Sequence, residues 1–240
     1  RVFLSPPRIA ENLSIVCSSA LSIAEYQRSA TFPDNPWSRY VQGDNDAINE
    51  QAKLGALRFF QPSIAQGGAN CVQCHRGNAF TNERPTAVGF PQVGPGMGDG
   101  PDGTGDFGRQ RASGQASDRF LFRTPSLLNV ELTAPYGHSG HVNDLGEVIR
   151  HYVIPEDTLG RFLQGREWCA MPSFAATPGC NSTFAAVSRN SSEAFSKVET
   201  LRFQAPGDAM PALDSNQFSP TVAGQVEAFL RTLTDPCLRD

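Results

Sequence analysis

Apolar residues recur at helical spacing in four stretches of the chain. Over residues 11–28, Leu13, Val16, Cys17, Ala20 and Ala24 fall on one face. Residues 50–60 follow Asn49, whose side chain suits an N-cap, and place Ala52, Ala56, Phe59 and Phe60 inward. Residues 145–153 follow Asp144, with Glu147 three positions on in a capping-box pattern; Leu145, Val148, Ile149 and Tyr152 share a face. Residues 220–233 open with Ser219 as cap and Pro220 in the first turn, and bury Val222, Val226, Phe229, Leu230 and Leu233. Between these helices the pattern breaks down. The stretch GFPQVGPGMGDGPDGTGDFG, residues 89–108, is crowded with glycine and proline and excludes helix or central strand. A loop of that length inside a domain usually serves a function. There is neither an internal repeat nor sustained alternation, so the expected fold is mainly α with long irregular loops.

Composition sharpens this picture. Only 39% of the 240 residues are hydrophobic, against 22 glycines and 18 prolines. A chain of this length can bury a core, but this balance suggests that something other than side chains completes it. The net charge of −4 offers no basic patch for nucleic acid. No apolar stretch approaches the roughly 18–20 residues needed to span a membrane. No signal-peptide pattern is seen, and the opening RVFLSPPRIAENL reads like the interior of a longer protein. Of six cysteines, Cys169 and Cys180 flank the loop CAMPSFAATPGC, where a disulfide would staple a segment of little regular structure. Cys17 and Cys237 would pair with each other or with segments outside this chain.

Two further cysteines belong to CVQCHRGNAFTN, residues 71–82, where Cys71, Cys74 and His75 form C-x-x-C-H. A structural zinc site needs about four ligands, usually as two pairs. His138 and His141 are the nearest approach to a second pair. The histidine directly after Cys74 favours covalent haem instead: the two thiols add across the porphyrin vinyl groups, and the imidazole reaches the iron. A haem would also supply the apolar mass that the composition lacks.

The flanking sequence carries a resemblance. PDNPWSRYVQGDNDAINEQAKLGALRFF leads into the motif, GNAFTN and DFGR follow it, and FRTPSLLNVELTAPYGHSG, LGEVIRHY and VEAFLRTLTDP come after in order. Together these resemble the C-terminal haem domain of the bacterial dihaem cytochrome c peroxidase / MauG family, from about residue 20 onward. The resemblance implies a cytochrome c-type haem domain over residues 31–240, with residues 1–30 a helix left from, or linking to, a preceding haem domain absent from this chain. A second haem is expected on that domain, or on a partner chain, as the one that reacts with peroxide. It also implies a periplasmic oxidoreductase that uses hydrogen peroxide and high-valent iron to oxidise a protein side chain or a small redox protein. The alternatives are a conventional dihaem cytochrome c peroxidase, or a non-enzymatic haem c electron-transfer subunit of a larger assembly.

The resemblance also assigns residues. Cys71 and Cys74 would tether the haem and His75 would take one face of the iron. Peroxidases of the family place a Met, and MauG-like members a Tyr, on the helix after TAPY; here that position is Tyr152. A phenolate stabilises ferric and higher states relative to a thioether. Met97, Met171 and Met210 are weaker candidates. His138 matches a family histidine and competes with a purely structural role; His141 is expected to be exposed, and His151 to point away from the iron. Arg123 in FRTP would contact a haem propionate. Calcium would take backbone carbonyls from Thr133 and Pro135.

Overall fold

The computed structural model describes residues 18–26, 34–62, 66–93, 97–165, 169, 184–213 and 218–238. The chain divides into two units, Arg1–Pro33 and Asp34–Asp240. In the first, residues 18–26 form helix α1, where the Ser22 hydroxyl donates to the Ser18 carbonyl. Ala20 is exposed there and Ala24 half-buried; Leu13, Val16 and Cys17 lie outside the described residues.

The second unit is mainly helical: α2 (Pro36–Val41), α3 (Glu50–Phe60), α4 (Gln110–Ser113), α5 (Leu145–Val153), α6 (Pro155–Gly165), α7 (Phe184–Gln204) and α8 (Pro220–Arg231). The expected caps form. Asn49 Oδ1 accepts from Ala52 N, Asp144 Oδ1 from Glu147 N and Ser219 Oγ from Val222 N. Each satisfies an amide that the first helical turn leaves without a partner.

Helices α3 and α8 cross closely and form the centre of the main core. Phe59 and Phe229 are fully buried with ring centroids 5.0 Å apart. Phe80, Val130, Leu145, Ile149, Val226, Leu230 and Leu233 belong to the same cluster. Two expected core residues differ, and one of them, Val222, is only half-buried against this cluster. Phe60 is not inward but 37% exposed, its ring stacked on Trp37 at the rim. Phe59 already fills the inward position, and the next residue is rotated about 100° around a 3.6-residue helix.

A second core cluster forms around α7, which apolar periodicity did not reveal. Its inward face is Ala186, Val187, Asn190, Ser191, Ala194, Val198 and Leu201, at helical spacing but made largely of small and polar side chains. Ser191 Oγ accepts from the Gln92 amide, which is why a serine can be fully buried there.

Short strand contacts draw three distant segments together. β1 (Pro85–Thr86) pairs antiparallel with β2 (Phe122–Arg123), and Ala87 bridges to Ala209. The glycine-rich stretch is pinned by ion pairs. Arg111 bonds Asp99 and the Met97 carbonyl, and Arg189 pairs with Asp102. Among the described residues no helix is long and apolar enough to cross a membrane.

Candidate functional site

Cys71–Gln73 form a single 3-10 turn, entered through Asn70 in the left-handed conformation (φ 49°, ψ 30°). The amides of Cys74 and His75 both donate to the Cys71 carbonyl, at 3.2 and 2.9 Å. This turn brings both thiols and the imidazole to one wall of a cavity of about 440 Å³, a size ordinary for small-molecule sites. The cavity lies between the main core and the second cluster. Phe59, Leu145, Val148, Ile149, Val226 and Leu230 give it a largely apolar wall.

Burial governs the chemistry of the thiols. It pushes the Cys71 thiol up to about 12 and raises Cys74 as well, so both remain neutral S–H groups. Burial lowers His75, keeping it a neutral imidazole. Its Nδ1–H donates to the Phe80 carbonyl at 3.0 Å, and the Pro125 carbonyl also faces the ring as an acceptor. A histidine poised to bind a metal is held this way, its second nitrogen fixing tautomer and ring orientation. Sequence reasoning missed Phe80. The acceptor is a backbone carbonyl, so no side-chain type marks it.

Tyr152 lines the same cavity from α5, on the face shared with Leu145, Val148 and Ile149, as expected from their spacing. Burial raises its phenol above the ordinary tyrosine range, and the neighbouring Cys74 and Cys71 thiols add to the effect. A phenolate there needs a cation beside it.

Thr133 and Pro135 also border the cavity, and both are exposed. Arg123 stands at its edge, where Nη1 donates to Glu83 Oε2 at 2.6 Å; both side chains are mostly in solvent. Met210 lines the wall and is 1% exposed, whereas Met97 is 58% exposed and away from it. Met171 and Cys180 lie outside the described residues. Cys169 is disulfide-bonded. Among the described residues no three His, Cys, Asp or Glu side chains could hold a single metal ion, Cys71, Cys74 and His75 included.

The histidines separate by environment. His138 faces the cavity, stacked on Phe122 with centroids 4.0 Å apart, and its Nε2 accepts from the Gln92 side-chain amide at 2.9 Å. The side chain remains exposed where it borders the cavity. His151 points away from the cavity: it is fully buried, donates from Nε2 to the Val88 carbonyl and stacks on Phe90. His141 overturns the expectation of exposure. It is only 9% exposed, edge-on to Phe90 and Phe162. Ser139 gives its proton to the Pro91 carbonyl and accepts from His141 Nδ1, so His141 Nε2 is a buried acceptor without a hydrogen bond. The surrounding loop is polar in sequence, and only the fold places Phe162 of α6 over it.

That burial has a measurable consequence. Desolvation, reinforced by His138 and His151, pulls His141 down to about 3. Between its ordinary value near 6.5 and that depressed value, the unfolded chain binds a proton that the native state refuses. Stability is therefore intact above about pH 6.5 and falls with pH below it, by up to about 1.4 kcal/mol per pH unit from this residue. Thermal denaturation between pH 7.5 and 4 should show a steeper loss in the native protein than in His141→Phe. Parallel curves would show that His141 does not carry the effect.

The fold and this cavity define a mainly helical domain of the cytochrome c type, with long irregular loops. By sequence the chain is related to MauG proteins and bacterial cytochrome c peroxidases. It is 31% identical over 148 residues to the methylamine utilization protein MauG of Methylophilus methylotrophus, covering 60% of this chain and 39% of that protein. It is 34% identical over 134 residues to the cytochrome c551 peroxidase of Pseudomonas aeruginosa, covering 54% of this chain and 35% of the relative. The matched region thus spans well under half of either relative. In structure it resembles a MauG-like protein associated with microbial copper homeostasis, with a TM-score of 0.50 and 21% identity, over 88% of this chain and 50% of that one. No protein-family model matches the chain.

Proposed function

We propose that this chain is the haem c domain of a MauG-like oxidoreductase working in the periplasm. The observation that carries the reading is the convergence of Cys71, Cys74, His75 and Tyr152 on one apolar cavity. Cys71 and Cys74 would hold the macrocycle covalently, and His75 and Tyr152 would be the residues that ligate its iron. When bound, the haem would supply one-electron iron redox chemistry, relaying oxidising equivalents between a second, peroxide-reactive haem on a preceding domain or partner chain and a protein side chain or small redox protein. The Phe80 carbonyl keeps His75 in the ligating tautomer. Arg123, at the cavity edge and paired with Glu83, would supply the guanidinium for a propionate. The carbonyls of Thr133 and Pro135 lend oxygen donors of the kind calcium accepts. Cys169 pairs with Cys180, as suits an exported protein. Support for the MauG-like reading over a conventional peroxidase comes from α5, which presents Tyr152, and no methionine, to the cavity.

The holoprotein's ferric spectrum tests the reading. It should lack the far-red sulfur-to-iron band of His/Met haem. Tyr152→Phe should change the ferric spectrum while the chain stays folded, because the ring's packing remains and only the hydroxyl is lost. A ferric spectrum identical in Tyr152→Phe and wild type would remove Tyr152 from the iron.

A further inference from the structure

We propose that a second pocket, beside the turn that carries Cys71, Cys74 and His75, takes a carboxylate side chain of an acidic protein partner. Naming that partner as the one with which the domain exchanges electrons rests on the function proposed above; the pocket itself does not.

A cavity of about 310 Å³ is bordered by Gln73, Arg76, Asn82, Arg84, Pro206 and Gly207, and it shares no lining residue with the larger cavity. Its walls are tied to one another. Gln73 Nε2 donates to the Pro206 carbonyl at 3.1 Å, and Asn82 Nδ2 to the Gln73 carbonyl at 3.4 Å. Asn82 Oδ1 accepts from the Arg84 amide at 2.9 Å, and Arg84 Nη2 donates to Asp208 Oδ1 at 3.0 Å. These bonds join residues 73–84 to residues 206–208 before any ligand arrives, so binding has little left to order. The same segment runs into the attachment turn. Gln73 lies between Cys71 and Cys74, Arg76 follows His75, and the Asn82 amide donates to the Cys74 carbonyl at 2.8 Å. A partner seated here is held next to the residues that would carry the haem.

Charge sets the ligand class. The Arg76 guanidinium is exposed and makes no hydrogen bond or ion pair among the described residues. Arg84 is also exposed and keeps N–H donors beyond the one given to Asp208. Glu83 does not compensate them, because it is paired with Arg123 at 2.6 Å. Two guanidiniums around a polar pocket suit the planar, two-oxygen geometry of a carboxylate. The chain as a whole carries −4, so an acidic partner is repelled in general and attracted at this place, which orients its approach. A partner's side chain fits better than a free anion. Arg76, Arg84, Pro206 and Gly207 are all exposed, so a small anion in the pocket stays in water, where such a pairing is weak. A protein surface would cover the mouth and exclude that water.

Calorimetric titration of the holoprotein with a hexaglutamate peptide at low ionic strength tests the pocket. The peptide should bind the wild type. Arg76→Gln should weaken it about tenfold, the worth of a hydrogen bond to a charged group, and Arg76→Gln/Arg84→Gln should weaken it further. Arg39→Gln removes an exposed arginine of α2 outside the pocket and should leave affinity unchanged. Inorganic phosphate should fail to displace the peptide at equal concentration. No binding to the wild type, or equal weakening by Arg39→Gln and Arg76→Gln, would overturn the proposal. Displacement by phosphate at equal concentration would overturn it too, in favour of a site for free oxyanions. Mass spectrometry of the same sample decides the haem separately: a chain without covalent haem would defeat the function proposed above, and the titration would still decide the pocket.

Discussion

Replacing both Cys71 and Cys74 by Ser should abolish all haem that survives denaturation. In the wild type, acid and solvent extraction should leave a haem mass on the chain. Each S–H adds across a vinyl group, sulfur bonding to one carbon and hydrogen to the other, and serine provides no sulfur. Burial keeps both thiols protonated on the cavity wall, close enough together for one turn to present them to a single ring. The loss should extend beyond the cofactor. A ligand that binds only the native state stabilises it, and this one would fill a cavity of about 440 Å³ bordered by Phe59, Leu145, Val226 and Leu230 of the main core. The double variant should therefore also unfold at lower denaturant concentration. Haem that extracts freely from the wild type, or zinc found by metal analysis in its place, would defeat the assignment.

How much of this was legible in the sequence depended on where the information was stored. Helices α3, α5 and α8 were visible because their caps are side chains and their buried stripes are large and apolar. Tyr152 was legible for the same reason, since it continues the stripe of Leu145, Val148 and Ile149. Helix α7 was not. It buries Ala, Ser and Asn against loops, and a stripe of small side chains has little contrast with its surroundings. His141 was misjudged because exposure is decided by what packs on a residue, here Phe162 from a helix twenty residues on. The hydrogen bond from His75 to Phe80 was invisible because a carbonyl is common to every residue.

Gly55→Ala should destabilise the protein severely, against the usual sign for this exchange. In an ordinary helix interior, alanine is favoured over glycine by roughly 0.5–1 kcal/mol. Gly55 lies within α3 where it crosses α8. A Cβ added there would stand 1.8 Å from the Gln225 carbonyl oxygen and 2.5 Å from its carbon. Both are backbone atoms in the middle of a helix, so no rotamer change relieves the contact. The helices must move apart, and the Phe59–Phe229 packing beside them must open. Overpacking that a core cannot absorb costs about 1–3 kcal/mol and sometimes more; a backbone clash belongs at the upper end, about 3 kcal/mol net of the helix-propensity gain. That is a large share of the roughly 5–15 kcal/mol that holds a domain folded. Gly224→Ala is the matched control. It sits in α8 one residue before Gln225, with nothing within 4 Å of an added Cβ, and should gain the ordinary fraction of a kcal/mol. Denaturant midpoints should therefore move in opposite directions for the two variants. Because Phe59, Val226 and Leu230 border the cavity, Gly55→Ala should also retain haem less completely during maturation. Equal stability of Gly55→Ala and wild type would show that α3 and α8 do not meet as closely as their backbones do here.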